Sequence, residues 1–286
     1  MLTAMRNHRG FTLVEVLVAM VVMLTVTGAI YKLLYTSQRL SNAQAAQTDM
    51  QSNERAASLI VPSELRELST VAGGTAAQND ILDAQPTSIK YRAMRGTGFV
   101  CQPAAGLIRI WQSTWSGYRP PQPTRDSAFV FFQTDPSTGS DGTWQMTSIT
   151  AVTNGTNCPD GTPGYTLTVP GLAAPAAGVP VHLFEDMELG LYVNGGKSWL
   201  GARSVSMSEV SQQPLLGPLK ETTGFTLKYY DQDGTTETTD KTRVRSIRVT
   251  IKGITNGSVS TSGGSSTIAV VEDSVVSLVT LRNALR

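Results

Sequence analysis

Arg6-Asn-His-Arg9-Gly10-Phe11-Thr-Leu-Val-Glu15-Val-Leu-Val-Ala-Met20 is the stretch on which the reading of this 286-residue chain turns. A basic leader of ten residues ends at Gly10, and an apolar run begins at once. From Phe11 to Tyr31 the chain runs 21 residues with a single charge, Glu15. At about 1.5 Å per residue a helix of that length reaches roughly 30 Å, the thickness of a bilayer's hydrocarbon core. A secretory signal places its small-residue cleavage site after its apolar region, whereas here the small residue precedes it. A cut after Gly10 therefore leaves the apolar helix on the mature chain.

Arg6 and Arg9 lie before the span, and only Lys32 and Arg39 follow it within the next two turns. That bias favours a cytoplasmic N-terminus with the bulk of the chain outside the cytoplasm. Glu15 needs compensation, because a carboxylate in an apolar span costs about 2.5 to 3.5 kcal/mol on insertion scales.

The order of basic leader, Gly10, then Phe-Thr-Leu-Val-Glu15 is similar to the class III signal of type IV pilins and pseudopilins. The resemblance implies cleavage between Gly10 and Phe11 by a prepilin peptidase, N-methylation of Phe11, and assembly with other pilin or pseudopilin subunits. It also implies a role for Glu15 in the filament, neutralising the new N-terminal amine of a neighbouring subunit. The plainer reading of Glu15 is a carboxylate close enough to the membrane face to reach headgroups and water. Later segments resemble PilW-like minor pilins and J-type minor pseudopilins: Leu189-Gly-Leu-Tyr-Val, Trp199-Leu-Gly, Gly224-Phe-Thr-Leu-Lys-Tyr-Tyr-Asp, Arg245-Ser-Ile-Arg-Val-Thr-Ile and Val279-Thr-Leu-Arg-Asn-Ala-Leu-Arg286. Major pilins often carry a proline soon after the span. Here none occurs before Pro62, which argues for a minor subunit.

Residues 36 to 60 contain no proline or glycine, and Leu40, Ala43, Ala46, Met50, Ala57 and Ile60 recur mostly at helical spacing. One long helix is expected, with residues 11–34 in the membrane and 35–70 as an amphipathic stalk, and with Pro62 stopping its regular part. From residue 71 to 286 the pattern is β-rich. Residues 87–94, 106–111 and 225–230 alternate in part, 128–132 is a continuous apolar run, and 243–252 alternates most cleanly, with Ile247, Val249 and Ile251 on one face. Asp231-Gln-Asp-Gly234 reads as a hairpin turn. Residues 267–272 and 275–281 are further strand candidates. Polar or small-residue stretches at 72–77, 135–142, 153–164, 171–180 and 253–264 read as loops, that at 171–180 being the best place for a subdivision. The fold class is α+β: a long N-terminal helix packed on an antiparallel β-rich head, pilin-like.

A net charge of +1 gives no global argument for nucleic acid or an anionic surface. Cys101 and Cys158 are the only cysteines, and both follow the span, where an oxidising compartment permits one disulfide; two buried free thiols are the alternative. Catalysis has little footing. The only histidines are His8, in the leader, and His182, in an apolar context, and no Gly-x-Ser-x-Gly turn or metal-ligand spacing is present. Asp231, Asp233, Glu237 and Asp240 lack the spacing of an EF-hand loop and read as a solvated hairpin. Arg109, Trp111, Trp115, Tyr118 and Arg119 interleave cations and aromatics, a pattern that stacks single-stranded DNA. The competing reading packs the two tryptophans on the head.

The sequence thus describes a non-enzymatic minor pilin or pseudopilin without metal or cofactor, held by inner-membrane lipid as a single-pass protein, its head in the periplasm or outside the cell. A signal-anchored extracytoplasmic protein whose head binds a ligand or DNA is the alternative. An anchored hydrolase would need a histidine site that is not apparent. The two main readings part at Gly10, since an ordinary anchor keeps its N-terminus.

Overall fold

A computed structural model describes residues 11–73, 78–133, 142–260 and 268–282. Leu13–Arg66 forms one 54-residue helix, α1. Pro62 does not stop it: the proline lies inside the last turns of α1. A helical proline forfeits one backbone donor. Here Val61 and Leu65, on either side of it, are fully buried, so packing holds the segment helical.

The strands follow in chain order. β1 (Ile81–Ala84), β2 (Ser88–Ala104), β3 (Leu107–Trp111), β4 (Ser116–Gly117) and β5 (Ser127–Gln133) come first. β6 (Gly142–Ser148), β7 (Ala151–Asn157), β8 (Pro163–Thr168) and the long β9 (Pro180–Asn194) come next. β10 (Lys197–Ser204), β11 (Gln213–Leu219), β12 (Phe225–Tyr230), β13 (Ser246–Ile254), β14 (Val259–Ser260), β15 (Ile268–Ala269) and β16 (Glu272–Thr280) complete the set. Fourteen of them form a single sheet whose main path is β12-β13-β11-β10-β9-β2-β3-β8-β7, while β14 and β15 pair only with each other. Every pairing is antiparallel, so the class is α+β as expected, with a large sheet.

The chain divides into two units: Met1–Asp49 with Thr255–Val271, and Met50–Ile254 with Glu272–Arg286. In the first, the β14–β15 hairpin is closed by Thr255, whose N–H donates to the Val271 carbonyl at 3.0 Å and whose hydroxyl accepts from the Val271 N–H at 3.1 Å. In the second, the end of α1 places Ala57, Val61 and Leu65, and the turn after it Leu68, in a core with Phe225 and Leu227 of β12, Ile247, Val249 and Ile251 of β13, and Val279 of β16. A second cluster gathers Val100, Ile108, Ile110, Ala128, Val130, Leu167, Val181 and Leu183. β2 and β9 are long enough to feed both clusters, and their pairing runs from Ser88↔Gly190 to Phe99↔Pro180.

The alternation from Ile247 to Lys252 appears as expected, with the three apolar residues buried and Arg248 exposed. The apolar run of β5 is buried as expected: Ala128 and Val130 are fully buried in the second cluster, Phe131 packs against that cluster and meets Trp144 at 5.3 Å, and Phe129 meets Phe184 at 4.7 Å. Residues 153–164, expected as a loop, supply most of β7 and the start of β8. The reason is backbone pairing: Asn154 faces Tyr165 and Thr156 faces Gly164 across a bulge, in which Gly155 takes φ +79. Asp231–Gly234 is a tight turn with Gly234 at φ +68, but it leads to a single bridge, Tyr230↔Glu237, and the next strand begins only at Ser246. The stretch 171–180 leads into β9 within the same sheet. Most of the loops expected at 72–77 and 135–142 lies outside the described residues, and so do residues 261–264. Of the rest of the loop expected at 253–264, Gly253 and Ile254 end β13 and Val259 and Ser260 form β14, leaving an irregular connection between them.

Candidate functional site: the start of the N-terminal helix

Gly10 lies outside the described residues, so the site begins at Phe11, whose ring is exposed. Thr12 stands just before α1 and opens it: the Val16 N–H donates to the Thr12 carbonyl at 3.3 Å, and the Glu15 N–H donates to the Thr12 hydroxyl at 3.3 Å. Glu15 answers, its Oε2 accepting from the Thr12 N–H at 3.3 Å and from the Thr12 hydroxyl at 3.4 Å. This is a capping box, which satisfies donors that the first turn of any helix leaves open and sets a negative charge at the positive end of the helix dipole. The sequence reading missed it although the pattern was present, as Thr12-x-x-Glu15. It gives Glu15 a partner within its own chain, a compensation that composition alone did not reveal.

On both sides of Glu15 the helix presents apolar surface. Leu13, Val14, Leu17, Val21 and Leu24 are all more than half exposed. The most apolar part of the helix has a mean hydropathy of 2.4 and is unburied, so α1 is long and apolar enough to cross a membrane. Its few hydroxyls bond to their own helix: Thr25 donates to the Val22 carbonyl at 2.8 Å and Thr27 to the Met23 carbonyl at 2.7 Å. These two threonine hydroxyls therefore need no water, as a hydrocarbon surrounding requires.

Cys101, in β2, and Cys158, just past β7, form a disulfide with 5.8 Å between their Cα atoms. The Arg/Trp segment is spread over separate internal contacts. Arg109 bonds to Thr166 at 3.0 Å and to Gln102 and the Asn157 carbonyl, and the Trp111 indole N–H donates to Asp160 at 2.8 Å. Trp115 donates to the Arg119 carbonyl at 3.1 Å, sets its ring edge-on to Tyr165, and lies so close over Gly96 that a Cβ there would meet the ring at 2.4 Å. Arg119 grips Asp126 through two bonds of 2.7 and 2.6 Å and reaches Glu185 at 3.3 Å. Tyr118 alone of the five projects freely, at 85% exposure. The cations are thus spent on neighbouring acceptors and the indoles on packing or hydrogen bonds.

The acids of the 231–240 loop are similarly occupied. Asp233 accepts from Thr235 and Thr236, Asp240 accepts from Thr242, Glu237 pairs with Lys228 at 2.6 Å, and Asp231 pairs with Arg243 at 2.5 Å. His182 lies in β9 against Trp144 at 4.6 Å, where burial pushes its pKa down.

Among known families, residues 5–31 match the model of the prokaryotic N-terminal methylation motif. No curated protein and no solved structure matched the chain. The matched stretch contains Gly10, Phe11, the Thr12–Glu15 box and the apolar run as far as Tyr31. The chain therefore carries the methylation motif that marks a type IV pilin-like prepilin substrate, on an N-terminal helix long and apolar enough to cross a membrane.

Proposed function

We propose that this protein is a minor pilin or pseudopilin, PilW-like or J-type in its head, with no catalytic role of its own. The observation that carries the reading is the methylation motif at the head of an apolar helix whose first turn holds Glu15. Prepilin peptidase cuts between Gly10 and Phe11 and the new Phe11 amine is methylated. The helix holds the subunit in the inner membrane, with the head in the periplasm or outside the cell, until it packs against like helices in a filament. Small residues such as Ala19, Gly28 and Ala29 favour close helix contact there.

The capping box bears on how Glu15 serves assembly. Both bonds that the Glu15 carboxylate accepts from Thr12 go to Oε2, and a carboxylate has acceptor capacity for more than two bonds. Glu15 can therefore hold its own helix start and receive the methylated amine of a neighbour together, a charge-assisted bond in a water-poor setting. Glu15→Ala is the test: processing should proceed and recovery in sheared filaments should fall at least tenfold. Normal incorporation of that variant would remove the role given to Glu15.

A further inference from the structure

From the last turn of its membrane segment onward, α1 carries a polar ladder along one face. Tyr31 and Tyr35 stack with centroids 6.4 Å apart and planes 12° apart, and the Arg39 guanidinium lies 5.5 Å from the Tyr35 centroid. Lys32 is on the same side, one helical turn from Tyr35 and two from Arg39. Both rings remain open, at 71% for Tyr31 and 52% for Tyr35.

Charge and position limit what this face can hold. No acidic residue occurs between Glu15 and Asp49, so Lys32 and Arg39 have no carboxylate neighbour along the helix. From Tyr31 to Arg39 the ladder rises about 12 Å, more than the roughly 5 to 8 Å of one headgroup layer, so it runs from the last turn of the membrane segment through that layer. Tyrosines with an apolar body and a hydroxyl tip suit that boundary. A guanidinium stacked on a ring keeps its N–H edges free for a phosphate oxygen.

We propose that Tyr31, Lys32, Tyr35 and Arg39 form a binding face for the phosphate of an anionic phospholipid in the extracytoplasmic leaflet, fixing the depth of the helix before assembly. Arg39 and the tyrosine hydroxyls donate to the phosphate, and Lys32 adds the second positive charge that favours an anionic over a zwitterionic headgroup. The assignment rests on α1 spanning the membrane, and joining a filament then requires these contacts to break.

The test uses the full-length processed chain in phosphatidylcholine nanodiscs doped with spin-labelled phosphatidylglycerol or spin-labelled phosphatidylcholine. The motionally restricted fraction of phosphatidylglycerol should exceed that of phosphatidylcholine several-fold. The excess should vanish in the Lys32→Gln plus Arg39→Gln variant and fall partway in Tyr31→Leu plus Tyr35→Leu. Equal fractions around the unaltered chain, or an excess that survives loss of both cations, would overturn the proposal. Protease protection in the same discs reads the span independently: a chain that fails to insert would overturn the membrane reading itself, whereas an inserted chain without lipid preference would overturn only the ladder.

Discussion

Thr12 and Glu15 are three residues apart, and that spacing is what lets each satisfy the other's backbone donor. Thr12→Ala should cost about 1 kcal/mol at the start of α1, as N-cap losses do. Hydrogen exchange at the amides of residues 13–16 in detergent would show faster opening there and no change beyond the second turn. Asp80 is a second residue whose environment decides its behaviour. Burial pushes its pKa up to about 6, although the Ser69 N–H at 2.7 Å and the Arg92 charge pull it down. The folded state thus binds a proton more tightly than the unfolded chain. The stability Asp80 contributes is fully present below about pH 4 and is lost as pH rises through 6. Asp80→Asn should therefore gain on the unaltered chain between pH 4 and 7, by up to about 3 kcal/mol. Urea midpoints of both proteins across that range check it, and parallel curves would refute the assignment. Glu185 titrates in the opposite sense, since Ser204, Arg125 and Arg95 overcome its burial and hold its pKa down, so the difference between the two curves is the proper readout.

At the scale of elements, strands that bury one face announce themselves. The Ile247–Lys252 alternation was legible because β13 lies between the core and solvent. β7 was not legible: its residues 151–157 are exposed or half-buried, so no apolar period exists, and only main-chain pairing with β8 makes it a strand. The end of α1 was misjudged for a related reason, because Pro62 is a local signal that the burial of Val61 and Leu65 overrides. Pro62→Ala restores a helix donor and should stabilise the head by about 1 to 2 kcal/mol, less than the interior proline penalty because the freer unfolded chain offsets part of it. A lower urea midpoint would contradict that account. The Cys101–Cys158 bridge spans 57 positions, and its loss in Cys101→Ser plus Cys158→Ser should cost about 4 kcal/mol by the loop-entropy relation. Denaturant melts of the oxidised protein and the double variant measure this directly.

For the whole molecule, the sequence showed its kind more readily than its detail. An apolar helix after a basic leader, followed by a β-rich region, is readable from composition and period. The size of the sheet is not, since fourteen strands share it through long-range pairings such as β2 with β9. In the candidate site, Phe11 and Glu15 were legible as residues, and the Thr12 contact that gives Glu15 its partner was legible too, as the Thr-x-x-Glu spacing, but was passed over because Glu15 was weighed as a charge in the membrane. The aromatic–basic segment shows the converse. Its pattern suggested a nucleic-acid surface, but Arg119 is bound to Asp126 and Glu185 and Trp115 packs over Gly96. Replacing Trp115 and Arg119 by alanine should therefore lower stability, with no loss of DNA retention by the membrane-extracted protein.

The claim on which the rest depends is that the chain is a prepilin. N-terminal mass spectrometry of the membrane-extracted protein, from cells with and without prepilin peptidase, tests it most directly. The account predicts a chain beginning at N-methylated Phe11 when the peptidase is active and an uncut leader when it is not. An intact Met1 in both samples would contradict it and leave a signal-anchored extracytoplasmic binding protein in its place.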